Sequence, residues 1–436
     1  MNSAKSNINQ IVDHLFRREA GKIISVLTRV FGPENVQLSE DVVQDSLLEA
    51  LHNWSYKGIP ENPSGWLFKV AKNKAINILK HEKNRKNYLA ENSSLINEIE
   101  SNLDHFFSEE EILDDQLRMI FACCHPSISA DSQVAFALKT LCGFGLAEIA
   151  RAFLTTEENI NKRLVRARKK MREAGITFEI PGGKELDKRL DSVLEIIYLL
   201  FNEGYSASKG NDLIRYELCG EAIRLAEIIE SHPAIKNKSN VYSLLALMQL
   251  NASRFKSRAD LNGNLLTMAE QDRSLWDREL IKKGISNLAK STVNNNISLY
   301  QILAAISAYH CSAADYDSTN WSGILSLYDK LLLIDSSPVV LLNRTIPLSK
   351  VYGAESALRE LKKLKNIPSL KSYHLLHSTE AEFYIQLNQF SLATGCIEKA
   401  LKLSSLKAER NLLKRRLNYC REKMTPDNII FPKYNY

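Results

Sequence analysis

Two stretches of the chain place lysine, arginine and asparagine at helical spacing, a pattern suited to binding nucleic acid. The first is a helix predicted to begin near Ser64, together with the loop before it. Ammonium groups pair with phosphates, amides reach base edges, and aromatic rings stack on unpaired bases. The predicted nucleic-acid face consists of Tyr56, Lys57, Asn62, Trp66, Lys69, Lys72, Asn73, Asn77 and Lys80. Taken alone, Trp66 is better interpreted as a core anchor.

The second stretch has the layout of a helix-turn-helix. A helix over residues 131–142 is followed by a short helix over 146–153, and a turn then leads into a longer helix from Glu157. In this motif the last helix enters the major groove of DNA. A tight helical hairpin without a DNA role would have similar spacing, so the composition of the last helix decides between the two.

The composition of that last helix favours DNA. Thr155 and Glu158 are predicted to form the capping box at its start. Ile160, Leu164 and Met171 are predicted to face inward, and the opposite face is polar and cationic. The predicted DNA-reading residues are Thr156, Asn159, Lys162, Arg163, Arg166 and Lys170.

The charge of the chain is distributed in blocks. Residues 57–90 hold eight Lys and Arg against two Glu, and residues 150–175 hold eight against three. Residues 91–115 hold nine Asp and Glu and no Lys or Arg. The net charge of +6 is too small to indicate nucleic-acid binding by itself. Two basic blocks on patterned helices, joined by an acidic connector, indicate it more strongly.

The elements that position these residues are predicted to be helices throughout. Apolar residues recur at i, i+3, i+4 and i+7, and no convincing run of alternating strand residues occurs. In residues 40–54, Val43, Leu47, Ala50 and Trp54 form an inward stripe. A neighbouring face consists of Asp41, Gln44, Asp45 and Leu48, and by pattern alone it is an ordinary exposed surface. The predicted fold class is all-α.

Three segments together resemble a bacterial RNA polymerase sigma factor of the extracytoplasmic-function group. They are EDVVQDSLLEALHNW, NPSGWLFKVAKNKAINILKHEKNRK and the helix NINKRLVRARKKMR. The resemblance implies sigma region 2 within residues 1–90, an acidic linker over 91–114 and sigma region 4 over 115–175. It further implies that the linker follows the RNA exit path of the polymerase.

The resemblance also implies roles for the residues above. Asp41, Gln44, Asp45 and Leu48 take the position that grips the clamp coiled coil of core RNA polymerase, and region 4 takes the position that meets its flap. The loop over 56–63 and the helix after it take the position that opens the −10 element of promoter DNA. The helix over 157–172 takes the position that reads the −35 element.

Residues 176–436 extend well beyond a minimal sigma factor of this group. Residues 375–403 have spacing similar to a tetratricopeptide repeat (TPR), and residues 338–364 are a candidate preceding unit. The sequences FNEGYSAS, EQDRSLWDR and SPVVLLNR are similar to group members with a large helical C-terminal extension. That resemblance implies a role in modulating the polymerase, and we expect regulation in cis. An unidentified protein or ligand of the extension stays open.

Other classes of function are less well supported. The sequence lacks a recognisable phosphate-binding loop, dinucleotide fingerprint or nucleophile elbow, and we predict no enzyme, no cofactor and no metal site. The Asp272–Arg278 cluster is interpreted as ion pairs within a helix, and Cys123, Cys124 and His125 as packing residues. Seven cysteines at irregular spacing, no apolar leader and no membrane-length apolar run predict a cytoplasmic protein. The alternatives are a stand-alone helix-turn-helix regulator with a repeat-type sensing domain, and a repeat scaffold without a DNA role.

Overall fold

The computed structural model describes residues 19–86, 105–153, 155–205, 215–260, 263–293, 297–404 and 406–424. Within these ranges the fold is helical, as the sequence predicts. The strand-like pairing there is a single isolated bridge between Ala259 and Leu265.

The helices of the N-terminal part correspond closely to the predicted elements. They are α1 (residues 19–31), α2 (Val36–Lys57), α3 (Pro63–Lys86), α4 (Glu109–Cys123), α5 (Ala130–Thr140), α6 (Leu146–Ala152) and α7 (Glu157–Glu173). Of the predicted acidic linker, residues 91–104 lie outside the described residues. The part from Glu109 onward is helical and belongs to α4.

The extension continues as a series of helices. They are α8 (Gly183–Tyr205), α9 (Tyr216–Ser231), α10 (Ser239–Ala252), α11 (Arg278–Ser291), α12 (Leu299–Ser312), α13 (Trp321–Leu331), α14 (Pro338–Tyr352), α15 (Ala354–Leu364), α16 (Pro368–Lys371), α17 (His374–Gln386), α18 (Phe390–Leu403) and α19 (Lys407–Met424). From α10 to α15 and from α17 to α19, consecutive helices pack against one another, which is the behaviour of stacked helical hairpins.

The chain divides into two compact units. The first runs through Phe201 and also includes Gly220–Asn237, and the second includes Asn202–Cys219 and everything from Lys238 onward. The first unit therefore contains both predicted sigma regions together with most of α8 and α9. The four segments predicted from the sequence stay predictions.

The core of the first unit is built on α4 and α5. Phe121 and Phe136 are among the largest fully buried side chains of the described residues. The Arg189 guanidinium on α8 donates to the Phe121 carbonyl oxygen at 2.6 Å, and Arg224 on α9 donates to the Leu141 carbonyl oxygen at 2.9 Å. Both carbonyls lie at the ends of helices, where backbone acceptors lack partners within the helix. The first two extension helices thus complete hydrogen bonds of the α4–α5 segment.

The second unit contains the segments predicted to be repeats. Helices α17 and α18 form a hairpin whose turn includes Asn388, the described non-glycine residue with a positive φ, 57°. Ala393 and Ala400 on α18 are fully buried, which lets the helices approach closely. Gly353, with φ 83°, separates α14 from α15. These hairpins agree with the predicted helical pairs, while their assignment as TPR units stays a prediction.

One cluster in the second unit differs from its predicted interpretation. Asp272 and Asp277 do not form ion pairs within a helix, as the sequence suggests. Each carboxylate instead caps a helix start, Asp272 accepting from the Ser274 backbone N–H at 2.8 Å and Asp277 from that of Leu280 at 3.0 Å. The spacing is misleading because aspartates just before a helix satisfy its free N–H groups better than side-chain pairing does.

All seven cysteines are buried and unpaired. Burial raises the pKa of Cys124, Cys219 and Cys396 to about 12. The thiolate is the reactive form of cysteine, so these side chains are chemically quiet packing residues.

Candidate nucleic-acid interface

The predicted polymerase-binding residues lie together on the exposed side of α2. Asp41, Gln44, Asp45 and Leu48 are all exposed, and the Leu48 residue keeps 63% of its surface accessible. The opposite stripe is buried at Val43, Ala50 and Trp54, while Leu47 is half-buried. A single exposed leucine is ordinary on a protein surface, so exposure alone does not identify this face as a binding site. The geometry is compatible with the predicted role, which stays a prediction.

The residue that caps the start of α3 lies two positions earlier than the sequence suggests. Asn62, rather than Ser64, accepts hydrogen bonds there. Its side-chain oxygen accepts a hydrogen bond from the Gly65 backbone N–H at 2.9 Å. Its backbone carbonyl oxygen accepts one from the Trp66 backbone N–H at 3.1 Å. Proline at the first helical position makes this start favourable, because its fixed φ suits a helix and it has no N–H to satisfy. Asn62 thus has a structural role in addition to its predicted DNA contact.

The aromatic residues beside this start differ in exposure. Tyr56 is 80% exposed at the end of α2. Trp66 is half-buried, and its ring meets the Trp54 ring edge-on with centroids 5.4 Å apart. The contact with buried Trp54 supports the interpretation of Trp66 as a core anchor. The part of the Trp66 ring that is accessible could still stack on a base.

The outer face of α3 is cationic and accessible. Lys69, Asn73, Asn77 and Lys80 are exposed, as is Lys57 in the preceding turn, and Lys72 is half-buried. Lys74 pairs with Glu49 of α2 at 3.0 Å. Phe68 and Ile78 are half-buried and Ala71, Ala75 and Leu79 are buried, so the inward stripe of this helix agrees with the prediction.

The helix-turn-helix is present over α5, α6 and α7, but its cap differs from the predicted one. Thr156, not Thr155, caps α7, its hydroxyl accepting from the Asn159 backbone N–H at 3.2 Å. The Thr155 hydroxyl instead accepts from the Asn159 side chain at 2.7 Å. Adjacent threonines can exchange these roles, and the turn geometry decides which one faces the helix. Asn159 is therefore engaged with the turn by both its backbone and its side chain.

The predicted DNA-reading cations of α7 differ in their partners. Lys162 pairs with Glu158 at 2.7 Å, half-buried Arg163 approaches Asp131 at 3.4 Å, and Lys170 approaches Glu173 at 3.6 Å. Arg166 is exposed and has no carboxylate partner among the described residues. It borders a cavity of about 340 Å³ that is also lined by Ser127, Ser129, Ser132, Lys169 and Lys170.

Sequence reasoning missed several residues on the same face of α7. Asn161, Val165 and Lys169 are exposed beside Lys162 and Arg166, and Val165 keeps 52% of its surface accessible. Asn161, Val165 and Lys169 lie three positions after Glu158, Lys162 and Arg166, and this i+3 spacing is the signal that could have identified them. Valine methyl groups in a major groove can contact the methyl group of thymine.

Comparison with known families assigns two of these segments. Sigma-70 region 2 matches residues 15–85, and Sigma-70, region 4 matches residues 118–171. The chain belongs to the sigma-70 family. It is a sigma factor of the extracytoplasmic-function type with a C-terminal extension, part of which, residues 189–292, matches a family of unknown function, DUF6596.

The similarity to known proteins extends over most of the length of this sigma factor. An uncharacterized protein of Rhizobium meliloti (strain 1021) is 34% identical over 399 residues, which cover 91% of this chain and 92% of the relative. No solved structure matches significantly. The two sigma regions give the protein a role in promoter recognition and transcription initiation, through binding to core RNA polymerase and promoter DNA.

The described part of this sigma factor contains neither a cluster of metal-ligating side chains nor a helix suited to crossing a membrane. No group of three or more His, Cys, Asp and Glu side chains there could hold a metal ion. No helix in the same ranges is both long and apolar enough to cross a membrane. Sigma factor families consist of non-enzymatic, DNA-binding initiation factors.

Proposed function

We propose that this sigma factor divides promoter recognition between three exposed faces. The face Asp41–Leu48 of α2 binds the clamp coiled coil of core RNA polymerase, while region 4 meets the flap. The loop before α3, with the cationic face of α3, holds the opened −10 element. The exposed face of α7 reads the −35 element. The observation that carries the proposal is the cationic, accessible outer face of α7 at the end of an intact helix-turn-helix.

Run-off transcription with purified core polymerase tests the proposal as a whole. A sigma factor is required for any initiation from its promoters, whereas a stand-alone regulator changes the output of an existing holoenzyme. We expect no specific transcript without this protein and a discrete transcript with it. Transcription that needs another sigma factor would favour the regulator, and absence of salt-dependent DNA binding would favour a scaffold.

The polymerase face can be tested separately from the DNA faces. The double variant Asp41→Lys, Gln44→Ala replaces two exposed side chains on α2 and leaves its buried stripe intact. We expect weaker capture of core polymerase with an unchanged melting temperature. Glu195→Lys, an exposed carboxylate on α8, makes the same change in net charge and serves as the control. Equal capture of both variants and wild type would refute the assignment of the face.

A loop exchange tests the −10 assignment. Replacing residues 56–63 with those of another group member should change −10 preference and leave −35 preference alone. The exchange must keep Asn62, because its side chain caps α3. An exchanged protein that uses the same promoters with lower overall activity would count against a base-holding pocket in this loop.

We further propose that the extension acts on the sigma regions in cis and is required for full activity. The support is that α8 and α9 donate hydrogen bonds from Arg189 and Arg224 to carbonyls of the region 4 segment. His232, after α9, adds a contact of 2.7 Å between its Nε2 and Asp114 Oδ1. Truncation after Gly175 would remove all three side chains, so point variants separate regulation from folding better than truncation does.

Arg224→Ala tests regulation in cis with the full chain. It removes the donor to the Leu141 carbonyl oxygen and leaves both predicted DNA faces unchanged. We expect reduced transcription at the same promoters. Lys184→Ala, which removes an exposed cation from α8, is the control. Wild-type transcription by a folded Arg224→Ala protein would show that this contact has no regulatory role.

A further inference from the structure

The positive charge of the extension is concentrated in its last helices. Residues 359–424 hold fourteen Lys and Arg against six Glu and no Asp, whereas residues 176–358 hold nineteen Lys and Arg against twenty-one Asp and Glu. The surplus of eight positive charges in the last helices exceeds the net charge of +6 of the whole chain. Charges of one sign that are concentrated on part of a surface attract partners of the opposite sign. The end of the extension is therefore the part suited to an anionic partner.

Most carboxylates of this segment already have a basic partner. The contacts join Glu360 with Lys363, Glu380 with Lys365, Glu382 with Arg416, Glu398 with Arg421 and Glu409 with His374. Four other lysines of the segment are exposed and pair with no carboxylate among the described residues, and they define the basic patch: Lys362, Lys371, Lys399 and Lys402. Their ammonium groups are available to a partner without the breaking of an ion pair.

The lysines of the basic patch come from neighbouring elements of the second unit. His377 on α17 lies among them, because its ring hydrogen-bonds to the backbone of Lys371 and the ammonium groups of Lys399 and Lys365 act on it. Burial lowers the pKa of His377, Glu380 opposes this shift, and Lys399 and Lys365 add to it. The residues that surround one imidazole ring are close to one another, so α16, α18 and the end of α15 contribute to one surface.

The chemistry of the basic patch suits the phosphates of a duplex. Lys402 follows Lys399 by three residues, and Lys362 precedes Lys365 by three, so each pair is adjacent on its helix surface. Lysine ammonium groups are compact charges that bind phosphates without the planar fork with which arginine reads guanine. Within residues 359–403 every aromatic side chain is buried or half-buried. The exposed rings on which single-stranded bases stack are therefore lacking there, which favours double-stranded nucleic acid.

We propose that the basic patch binds the phosphate backbone of double-stranded promoter DNA upstream of the −35 element, without reading its sequence. The proposal rests on the proposed function, in which α7 holds the −35 element. The extension follows the region 4 segment in the same chain, so the DNA next to that element is the polyanion at the highest effective concentration. Each lysine that neutralises a phosphate releases condensed counterions, and this release stabilises the complex most at low salt.

Holoenzyme binding to two promoter fragments tests this assignment. The long fragment extends about 30 base pairs, or three helical turns, upstream of the −35 element, and the short fragment ends at that element. The patch variant is the triple change Lys371→Gln, Lys399→Gln, Lys402→Gln, which removes three exposed and unpaired cations. Glutamine keeps a polar side chain and has a helix propensity close to that of lysine, so the helices should stay intact.

The matched control makes the same change of charge elsewhere in the second unit. It is the triple change Lys282→Gln, Lys283→Gln, Lys330→Gln, at exposed positions of α11 and α13. We expect wild-type and control holoenzyme to bind the long fragment more tightly than the short one, and the patch variant to lose most of this preference. If each patch lysine contacts one phosphate, the slope of log binding constant against log salt on the long fragment falls by about 2.7. Over a fourfold change in salt concentration, that difference in slope is roughly a 40-fold difference in affinity.

A second measurement does not depend on promoter recognition. The full chain without polymerase is titrated with a non-promoter duplex at several salt concentrations. We expect a smaller salt slope for the patch variant than for wild type and control. Melting temperatures show whether each variant is folded, and the single change Lys399→Gln, which should lower the slope by about 0.9, replaces the triple variant if that protein unfolds. Equal slopes for patch variant and control would overturn the proposal.

The outcomes separate this proposal from the proposed function. Wild-type holoenzyme that binds both fragments equally, or a patch variant that keeps the preference for the long fragment, would overturn the proposal. Weaker capture of core polymerase by the patch variant than by the control would also overturn it, because the patch would then bind an acidic protein face. If wild-type holoenzyme recognises neither fragment, the proposed function fails, while the non-promoter duplex still decides whether the basic patch binds DNA.

Discussion

The two basic helices, α3 and α7, display their positive charge differently. On α3, Lys69 and Lys80 are exposed and pair with no carboxylate among the described residues. Of the other α3 lysines, Lys74 pairs with Glu49. On α7, Lys162 pairs with Glu158 and Arg168 pairs with Glu40, while exposed Arg166 has no carboxylate partner among the described residues. A free cation is available to a phosphate at once, whereas a paired one must first exchange its partner. We infer that α3 supplies general affinity for DNA and that α7 supplies selective affinity.

The largest effect on promoter selectivity is expected at the exposed arginine of α7. Arg166→Ala should remove about 1–3 kcal/mol of discrimination at one −35 position, because arginine donates two hydrogen bonds to guanine. Lys170→Ala should instead weaken binding evenly across sequences. Binding to a promoter library at fixed salt measures both, and identical profiles for the two variants would remove the distinction between reading and phosphate contact. Arg163→Ala should change discrimination at the −35 element less than Arg166→Ala does, because the Arg163 guanidinium already forms an ion pair with Asp131.

The contrast between free and paired charge extends to a buried carboxyl of α4. Asp115 is fully buried near Arg29, Arg118 and Glu111. Burial raises the pKa of Asp115 to about 7, although Arg118 Nη1 lies 2.5 Å from its Oδ1 and Arg29 lies nearby. The native state therefore retains a proton that the unfolded chain loses above pH 4. Retaining this proton stabilises the folded state at low pH. The stabilisation is lost as the pH rises towards and through 7, the pKa of Asp115 in the folded protein.

Asp115→Asn should remove this dependence of the unfolding free energy on pH. From pH 5 to pH 8, the wild type should lose roughly 2–3 kcal/mol of unfolding free energy relative to the variant. Urea unfolding of both proteins at several pH values measures the difference. A difference that is constant with pH would mean that Asp115 is ionised throughout, paired with its arginines.

A smaller effect should distinguish the two threonines before α7. Thr156→Ala removes the cap of the recognition helix and should cost about 1 kcal/mol of stability. Thr155→Ala loses only a side-chain contact to Asn159 and should cost less. Chemical unfolding ranks the two variants, and the reverse order would restore the capping box predicted from the sequence.

The smallest effect concerns salt. Lys69→Ala removes a free cation, so the slope of log binding constant against log salt should fall by about 0.7 if Lys69 contacts one phosphate of the opened −10 strand. Lys162→Ala should change the slope by less, because Glu158 already balances its charge. Equal changes would show that pairing on α7 does not persist when DNA binds, and the comparison of α3 with α7 would lose its basis.

The sequence predicted the local features better than the tertiary ones. Helical periodicity predicted the first and last residues of α5, α6 and α7 to within two positions, because each helix buries one regular stripe of apolar residues. The caps were less predictable, since Asn62 and Ser64, or Thr155 and Thr156, are chemically similar candidates a residue or two apart. The Glu40–Arg168 pair joins residues 128 positions apart, and no local pattern contains that information. The individual polymerase and DNA contacts stay predictions, because exposure alone does not identify a partner.

The buried cysteines have a practical consequence for anyone who wants to follow this molecule in motion. All seven native thiols are shielded from solvent. Reagents such as maleimides attack accessible thiolates, so the native chain offers them almost no target. A single cysteine introduced on an exposed position of α2 or α7 would therefore accept a fluorophore selectively. The packing that keeps the interior chemically quiet also makes the full-length protein suitable for distance measurements without a cysteine-free background.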